Sequence, residues 1–335
     1  MEDNKFGQHD AELKLGLTAV SSASKITRKI QASLCADDIL TKKDSSPVTI
    51  ADFAAQSVIN GVISHNFSKD INIVAEEESA NLKDQKIIAS ILAFVEGFLE
   101  ITTDSRLRIA IDYGKGNRNP QKFWTLDPID GTKGFIRGQQ YSISLAYIEN
   151  GEIKVGILGC PNLNPDCSGD PEEVNARGSL LFAVKGLGAW STSLDNPFSD
   201  CQPVFGNKKI PLEKLRLCES VEAAHSKHSL TKTILKSLSI QNKSIKLDSQ
   251  VKYAVVARGQ GHIYLRVPTS DYYKEKIWDH AAGSIIAEEA GLRVSDINGK
   301  KLNFSCGDEL KNNKGIVCTH KEHHELIIRS IKNYI

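Results

Sequence analysis

No Cys-x-x-Cys pair occurs among the seven cysteines of this 335-residue chain, which excludes zinc-ribbon and thioredoxin-type sites. The seven are odd in number and scattered (35, 160, 167, 201, 218, 306 and 318), so they read as reduced thiols packing like small hydrophobes. Neither sign of charge is in excess: 42 Lys and Arg stand against 41 Asp and Glu, a net charge of +1. A broad nucleic-acid or anionic-membrane surface would show a large positive surplus, so neither partner is expected. No apolar run approaches the ~20 residues of a spanning helix. Low-complexity stretches and internal repeats are lacking too. With 40% hydrophobic and 25% charged residues, the composition is that of a folded chain. There is no GxxxxGK[ST] phosphate loop and no G-x-S-x-G nucleophile elbow, which disfavours P-loop kinases and serine hydrolases. Met1 to Asp10 is polar, with no apolar or Arg-rich leader pattern, and points to a cytoplasmic protein.

What is present suggests two domains, because 36.8 kDa is long for a single core. Leu13, Leu17, Val20, Ala23, Ile26, Ile30 and Leu34 form a helical stripe over residues 10–35. A second helix is expected over 49–67, with Asp52 at its start, and a third over 87–99. Strands are expected at 71–75, 123–126, 142–148, 152–158 and 180–184, the middle pair joined through Asn150-Gly151, a hairpin dipeptide. Residues 191–211, rich in Ser, Asp, Asn and Pro, are the loosest stretch. The boundary is placed there, giving domains 1–195 and 196–335. Beyond it, strands at 215–218, 245–247, 262–267 and 315–318 alternate with helices at 231–238, 253–258 and 280–290. The expected fold class is α/β, with an α+β first domain, an α/β second domain and a layered sandwich built on two sheets.

Chemistry concentrates in Leu126-Asp127-Pro128-Ile129-Asp130-Gly131-Thr132. An apolar strand ends and two carboxylates follow three residues apart around a proline that stiffens the turn. Gly131 lets the backbone approach a ligand, and the Gly131 and Thr132 amides could receive a phosphate. Hard oxygen anions beside an anion-accepting backbone suit a Mg²⁺-dependent phosphoryl site. A solvated turn would read the same way locally. Glu76-Glu77-Glu78 follows the 71–75 strand, with a charged loop as the bland alternative. Asp279 stands where a helix begins and could be a plain N-cap, as could Asp52. His228, His280, His320, His323 and His324 lack zinc-ligand spacing and read as ordinary residues.

Together these motifs resemble the inositol monophosphatase-like superfamily of metal-dependent phosphatases. The longer stretches FWTLDPIDGTKGFIRGQQYSISLAYI, GCPNL, LDSQVKY and EKIWDHAAG are similar to its 3′(2′),5′-bisphosphate nucleotidase branch, over roughly residues 45 to 320. Gly114 to Lys122 departs from the more glycine-rich loop of that branch. The resemblance implies a layered αβαβα sandwich and release of the 3′-phosphate of adenosine 3′,5′-bisphosphate to leave AMP. It further implies 3′-phosphoadenylyl sulfate as a candidate substrate, a link to sulfur assimilation, and lithium and sodium sensitivity. Metal ligands would be Glu76, Asp127, Asp130, Asp279 and the Ile129 backbone carbonyl, holding two or three Mg²⁺ ions. Asp52 and Thr132 would activate the attacking water. Gly131, Thr132, His225, Ser249, Lys252, Arg266 and Asp279 would contact substrate, a small-molecule nucleotide. Oligomeric state is not legible, and a monomer is compatible. The rival readings are an inositol phosphate phosphatase of the same superfamily and a nucleotide-binding sensor without turnover.

Overall fold

The protein is described by a computed structural model covering residues 6–42, 46–66, 72–98, 100–116, 121–206, 210–222, 228–270 and 272–335. Helix α1 (Asp10–Ser33) buries the predicted stripe from Leu13 to Ile30, Leu34 falling one residue past its end, and α2 (Ile50–Asn66) lies against it. Between them a short hairpin pairs β1 (Ile39–Thr41) with β2 (Pro47–Thr49). A seven-stranded sheet then takes its strands in chain order: β3 (Ile73–Ala75), β4 (Lys122–Asp130), β5 (Ser142–Glu149), β6 (Glu152–Cys160), β7 (Ser179–Val184), β8 (Ala189–Thr192) and β9 (Gln202–Val204). Only β3 and β4 run parallel. Asn150 (φ 51°) and Gly151 (φ 74°) make the β5–β6 turn, both left-handed, which suits a two-residue hairpin.

Helices α3 (Gln85–Val95) and α4 (Asp104–Asp112) cover the outer side of α2. A short α5 (Thr132–Ile136) follows β4 directly. The second sheet orders β11 (Ile245–Lys246), β10 (Leu217–Glu219), β12 (Ile263–Arg266), β14 (Ile316–His320) and β13 (Leu292–Ser295). Its helices are α6 (His228–Ser237), α7 (Val251–Ala257), α8 (Ala281–Glu289) and α9 (Lys321–Lys332).

Five layers result. Helices α1 and α2 pack on one face of the seven-stranded sheet, and α7 and α8 lie between the two sheets. Helices α6 and α9 cover the far face of the five-stranded sheet. The expected αβαβα sandwich is the fold observed. One apolar cluster joins Leu158 and Leu181 of the first sheet to Ile285 of α8 and Cys318 of the second. The seven-stranded sheet runs on to Val204, past the boundary drawn at 195, because β9 pairs with β8 inside the stretch expected to be loop. Among the described residues no helix is long and apolar enough to cross a membrane.

Candidate active site

Strand β4 carries the acidic turn and does not end before it. Asp127 pairs with Ser144 and Asp130 with Ser142, so three steps on β4 oppose two on β5. In a regular strand, residues three apart point to opposite faces. The extra residue of this bulge brings Asp127 and Asp130 to one side. Both line a single cavity of about 370 Å³, together with Glu76 from the end of β3 and Asp279 from the approach to α8. His280, not Asp279, is the N-cap residue of α8, and it makes no side-chain capping bond. The helix-cap reading of Asp279 is thereby removed.

Asp127 and Asp130 are held in place by hydrogen-bond donors. Asp127 accepts from the Ile129 amide at 3.1 Å. Asp130 accepts from the Gln250 amide at 2.5 Å and the Ser142 hydroxyl at 3.4 Å. Burial, then neighbouring carboxylates, push Asp127 and Asp279 well above the usual range. Asp130 is raised to about 6 by burial, opposed by Lys252 and the Gln250 amide. Mutually repelling hard oxygens in a desolvated cleft fit a divalent cation. The Ile129 carbonyl lies at the same site, 3.2 Å from Thr132 Oγ1. Glu77 is the residue that sequence reasoning passed over. It is buried and pairs with Lys42, whose Nζ also lies 2.6 Å from Glu76 Oε1. Glu76 faces the cavity, as expected from its place directly after the strand.

Asp52 does two things at once. Its Oδ2 accepts from the Thr49 amide (2.8 Å) and the Thr49 hydroxyl (2.7 Å), closing the first turn of α2. Its Oδ1 faces Thr132 Oγ1 at 3.5 Å. Burial raises Asp52 to about 7, against the pull of Lys42. Gly131 holds φ +88°, and a Cβ there would sit 2.9 Å from Ser249 Cβ. Glycine is therefore needed both for the left-handed turn and for the close approach of the Ser249 loop.

On the opposite wall stand Ser249, Lys252 and Arg266. Lys252 is buried, donates to the Leu247 carbonyl at 3.1 Å, and is lowered to about 8, chiefly by burial. Gln250, not anticipated, stitches the wall together. Its side chain donates to the Trp278 carbonyl (2.7 Å) and accepts from the Gly283 amide (2.9 Å), tying α7 to α8. The only sequence signal was its place between Ser249 and Lys252. His225 lies outside the described residues, as do residues 117–120 of the departing 114–122 loop.

The model of the inositol monophosphatase family matches residues 11–335. A 3′(2′),5′-bisphosphate nucleotidase of Schizosaccharomyces pombe is 41% identical, covering 96% of this chain and 95% of its own. The 3′(2′),5′-bisphosphate nucleotidase 1 of Candida albicans is 38% identical over the same shares. Among solved structures, the Thermotoga maritima IMPase aligns with a TM-score of 0.67 at 21% identity, covering 97% of this chain and 98% of that one, which speaks to the fold alone. With its bulged acidic strand, its facing basic wall and near-full-length relatives, the chain belongs to the inositol monophosphatase family, in the branch of the 3′(2′),5′-bisphosphate nucleotidases.

Proposed function

We propose that the protein hydrolyses the 3′-phosphate of adenosine 3′,5′-bisphosphate, giving AMP and phosphate, with Mg²⁺ as the metal and two or three ions held at once. One observation carries the reading. A single cavity sets a carboxylate cage against two basic side chains, Lys252 and Arg266, so it suits a substrate with two phosphates. Glu76, Asp127, Asp130, Asp279 and the Ile129 carbonyl would hold the metal, which lowers the pKa of a water and offsets charge on the phosphoryl oxygens.

The chain's own residues supply the rest. The Thr132 hydroxyl has one proton and two acceptors in reach, the Ile129 carbonyl and Asp52 Oδ1. With the Ile129 oxygen given to a cation, Asp52 is the acceptor left, and Thr132 Oγ1 is then free to accept from the attacking water. Gly131 and Ser249 bring the two walls together, while Lys252 and Arg266 fix the second phosphate. Binding at two points makes positioning depend on both phosphates. The reading extends to His225 as a nucleotide contact, to a cytoplasmic enzyme without nucleic-acid or membrane partners, and to 3′-phosphoadenylyl sulfate as a second substrate. Domain 1–195 would then contribute most of the cage, and domain 196–335 the basic wall together with Asp279.

Phosphate release is to be measured with and without Mg²⁺ on adenosine 3′,5′-bisphosphate, 3′-AMP, 5′-AMP and inositol 1-phosphate. Strong preference for the bisphosphate, with no turnover in EDTA, is expected. Equal kcat/KM on inositol 1-phosphate would replace this reading with an inositol phosphatase, and binding without turnover would leave a sensor.

A further inference from the structure

Arg266 is gripped from behind. It closes β12, and its Nε lies 2.9 Å from Glu275 Oε1 as a close ion pair without the alignment of a hydrogen bond. Its Nη2 donates to the Tyr273 hydroxyl at 3.3 Å, and the Tyr273 ring centroid lies 5.7 Å from the guanidinium carbon. Glu275 is only 3% exposed. Its other oxygen lies 3.2 Å from His280 Nε2, and His280 Nδ1 lies 3.1 Å from the Tyr253 hydroxyl.

The direction of these bonds follows from what each group can offer. The Arg266 cation holds Glu275 ionised, at about 2, so it only accepts. His280 Nε2 must then carry the proton. Burial disfavours the imidazolium, which leaves Nδ1 to accept from Tyr253. A line of partners thus runs from the core between the sheets, Tyr253 to His280 to Glu275, and ends on the guanidinium at the cavity wall. The line stops short of the cavity itself: Tyr253, His280 and Glu275 are all outside its lining.

Asp279 and Asp130 also attract Arg266 electrostatically. A guanidinium released from Glu275 would still feel those carboxylates, and it would be drawn towards the cage and away from the second phosphate. We infer that Glu275 is a positioning residue, which aims Arg266 at the second phosphate and so sets the preference for a bisphosphate over a monophosphate. The inference rests on the reading of Arg266 as a second-phosphate cation.

The test compares KM and kcat on adenosine 3′,5′-bisphosphate and on 3′-AMP for wild type, Glu275→Gln, Arg266→Ala and Tyr273→Phe, all with Mg²⁺. Glu275→Gln should raise the bisphosphate KM roughly tenfold to a hundredfold, the range for a misdirected charge-assisted contact. KM and kcat on 3′-AMP should move by about twofold or less. A residue needed only for folding would depress both substrates alike, and that result would overturn the inference. Tyr273→Phe, at a half-exposed position that cannot unfold the core, should shift the same ratio in the same direction by a few fold. If Glu275→Gln does not fold, an unchanged ratio in Tyr273→Phe is the refuting result. Discrimination by Arg266→Ala without any in Glu275→Gln overturns this inference alone. No discrimination by Arg266→Ala overturns the second-phosphate reading along with it.

Discussion

Replacing Asp52 separates two roles that one carboxylate fills. Asn at this position keeps an oxygen for the two Thr49 donors, which compels its amide NH₂ to face Thr132. The helix cap survives and the proton acceptor is lost. Asp52→Asn should therefore lower kcat by roughly two to four orders of magnitude, a barrier increase of about 3–5 kcal/mol. Asp52→Ala should show the same kcat and also strand the buried Thr49 amide, at a cost of about 1–3 kcal/mol. Unfolding entropy scales with length, so for 335 residues each kcal/mol corresponds to about 1.4 °C in Tm. The Ala variant should then melt about 1.5–4 °C below the Asn variant, without further loss of turnover. The folded-state pKa of about 7 lies above the ordinary aspartate value of about 3.9, so the stability this group contributes is present in acid and lost as pH rises towards 7. At pH 8, Asp52→Asn should be no less stable than wild type. Calorimetry and steady-state phosphate release settle both halves. Turnover in Asp52→Asn within about tenfold of wild type would refute the proton-acceptor role and leave Asp52 a helix cap.

Asp127→Asn should abolish turnover yet raise the Tm measured in EDTA, because it removes a carboxylate raised by burial and by its neighbours and so relieves both penalties; a lowered Tm in EDTA would contradict that argument. Mg²⁺ at about a hundredfold its Kd should raise the wild-type Tm by about 4 °C and leave Asp127→Asn nearly unmoved; equal shifts would place the cation elsewhere. Gly131→Ala should cost about 1–3 kcal/mol and weaken bisphosphate binding, since the new methyl meets Ser249 in a strained turn; unchanged Tm and KM would sink that account. His324, buried with Nε2 2.8 Å from Ser295 Oγ, is lowered to about 4, so it stays neutral when folded but charges in the unfolded chain below about 6.5. Stability should accordingly fall between pH 6.5 and 4 by up to about 3 kcal/mol, and superimposable Tm–pH profiles for wild type and His324→Gln would refute this.

Much of the cage was legible because Asp127, Asp130 and Asp279 lie in compact motifs, and Glu76 directly follows an apolar strand. Sequence spacing could not show that a bulge turns Asp127 and Asp130 to the same face, since a bulge is defined by the partner strand. Nor could it show the Lys42 pair with Glu76 and Glu77, which joins a hairpin to a distant strand end. His280 reads as an ordinary histidine, and its link to Glu275 exists only once α8 has docked. Strand β9 escaped because Gln202-Pro203-Val204 has no periodicity to read and is held by its neighbour β8. Helix α4 escaped for a related reason: only Leu107 and Ile111 are buried, too few for a stripe. The order of elements pointed to a layered sandwich on two sheets, the five layers were what the resemblance implied, and the contacts between layers were legible from neither.

The layer shared by both sheets has a consequence for synthesis. The seven-stranded sheet is complete once Val204 has been made, but the helix that packs on its second face, α8, ends at Glu289. About 85 further residues must be translated first, which at about 5–20 residues per second takes roughly 4–17 seconds. Until that layer is complete Leu158, Leu181 and their apolar neighbours are not fully covered, so the nascent chain presents a broad apolar face. Fragments ending anywhere between these two points should require a chaperone to stay soluble, and the last helices would act less as a separate unit than as a clasp on the first.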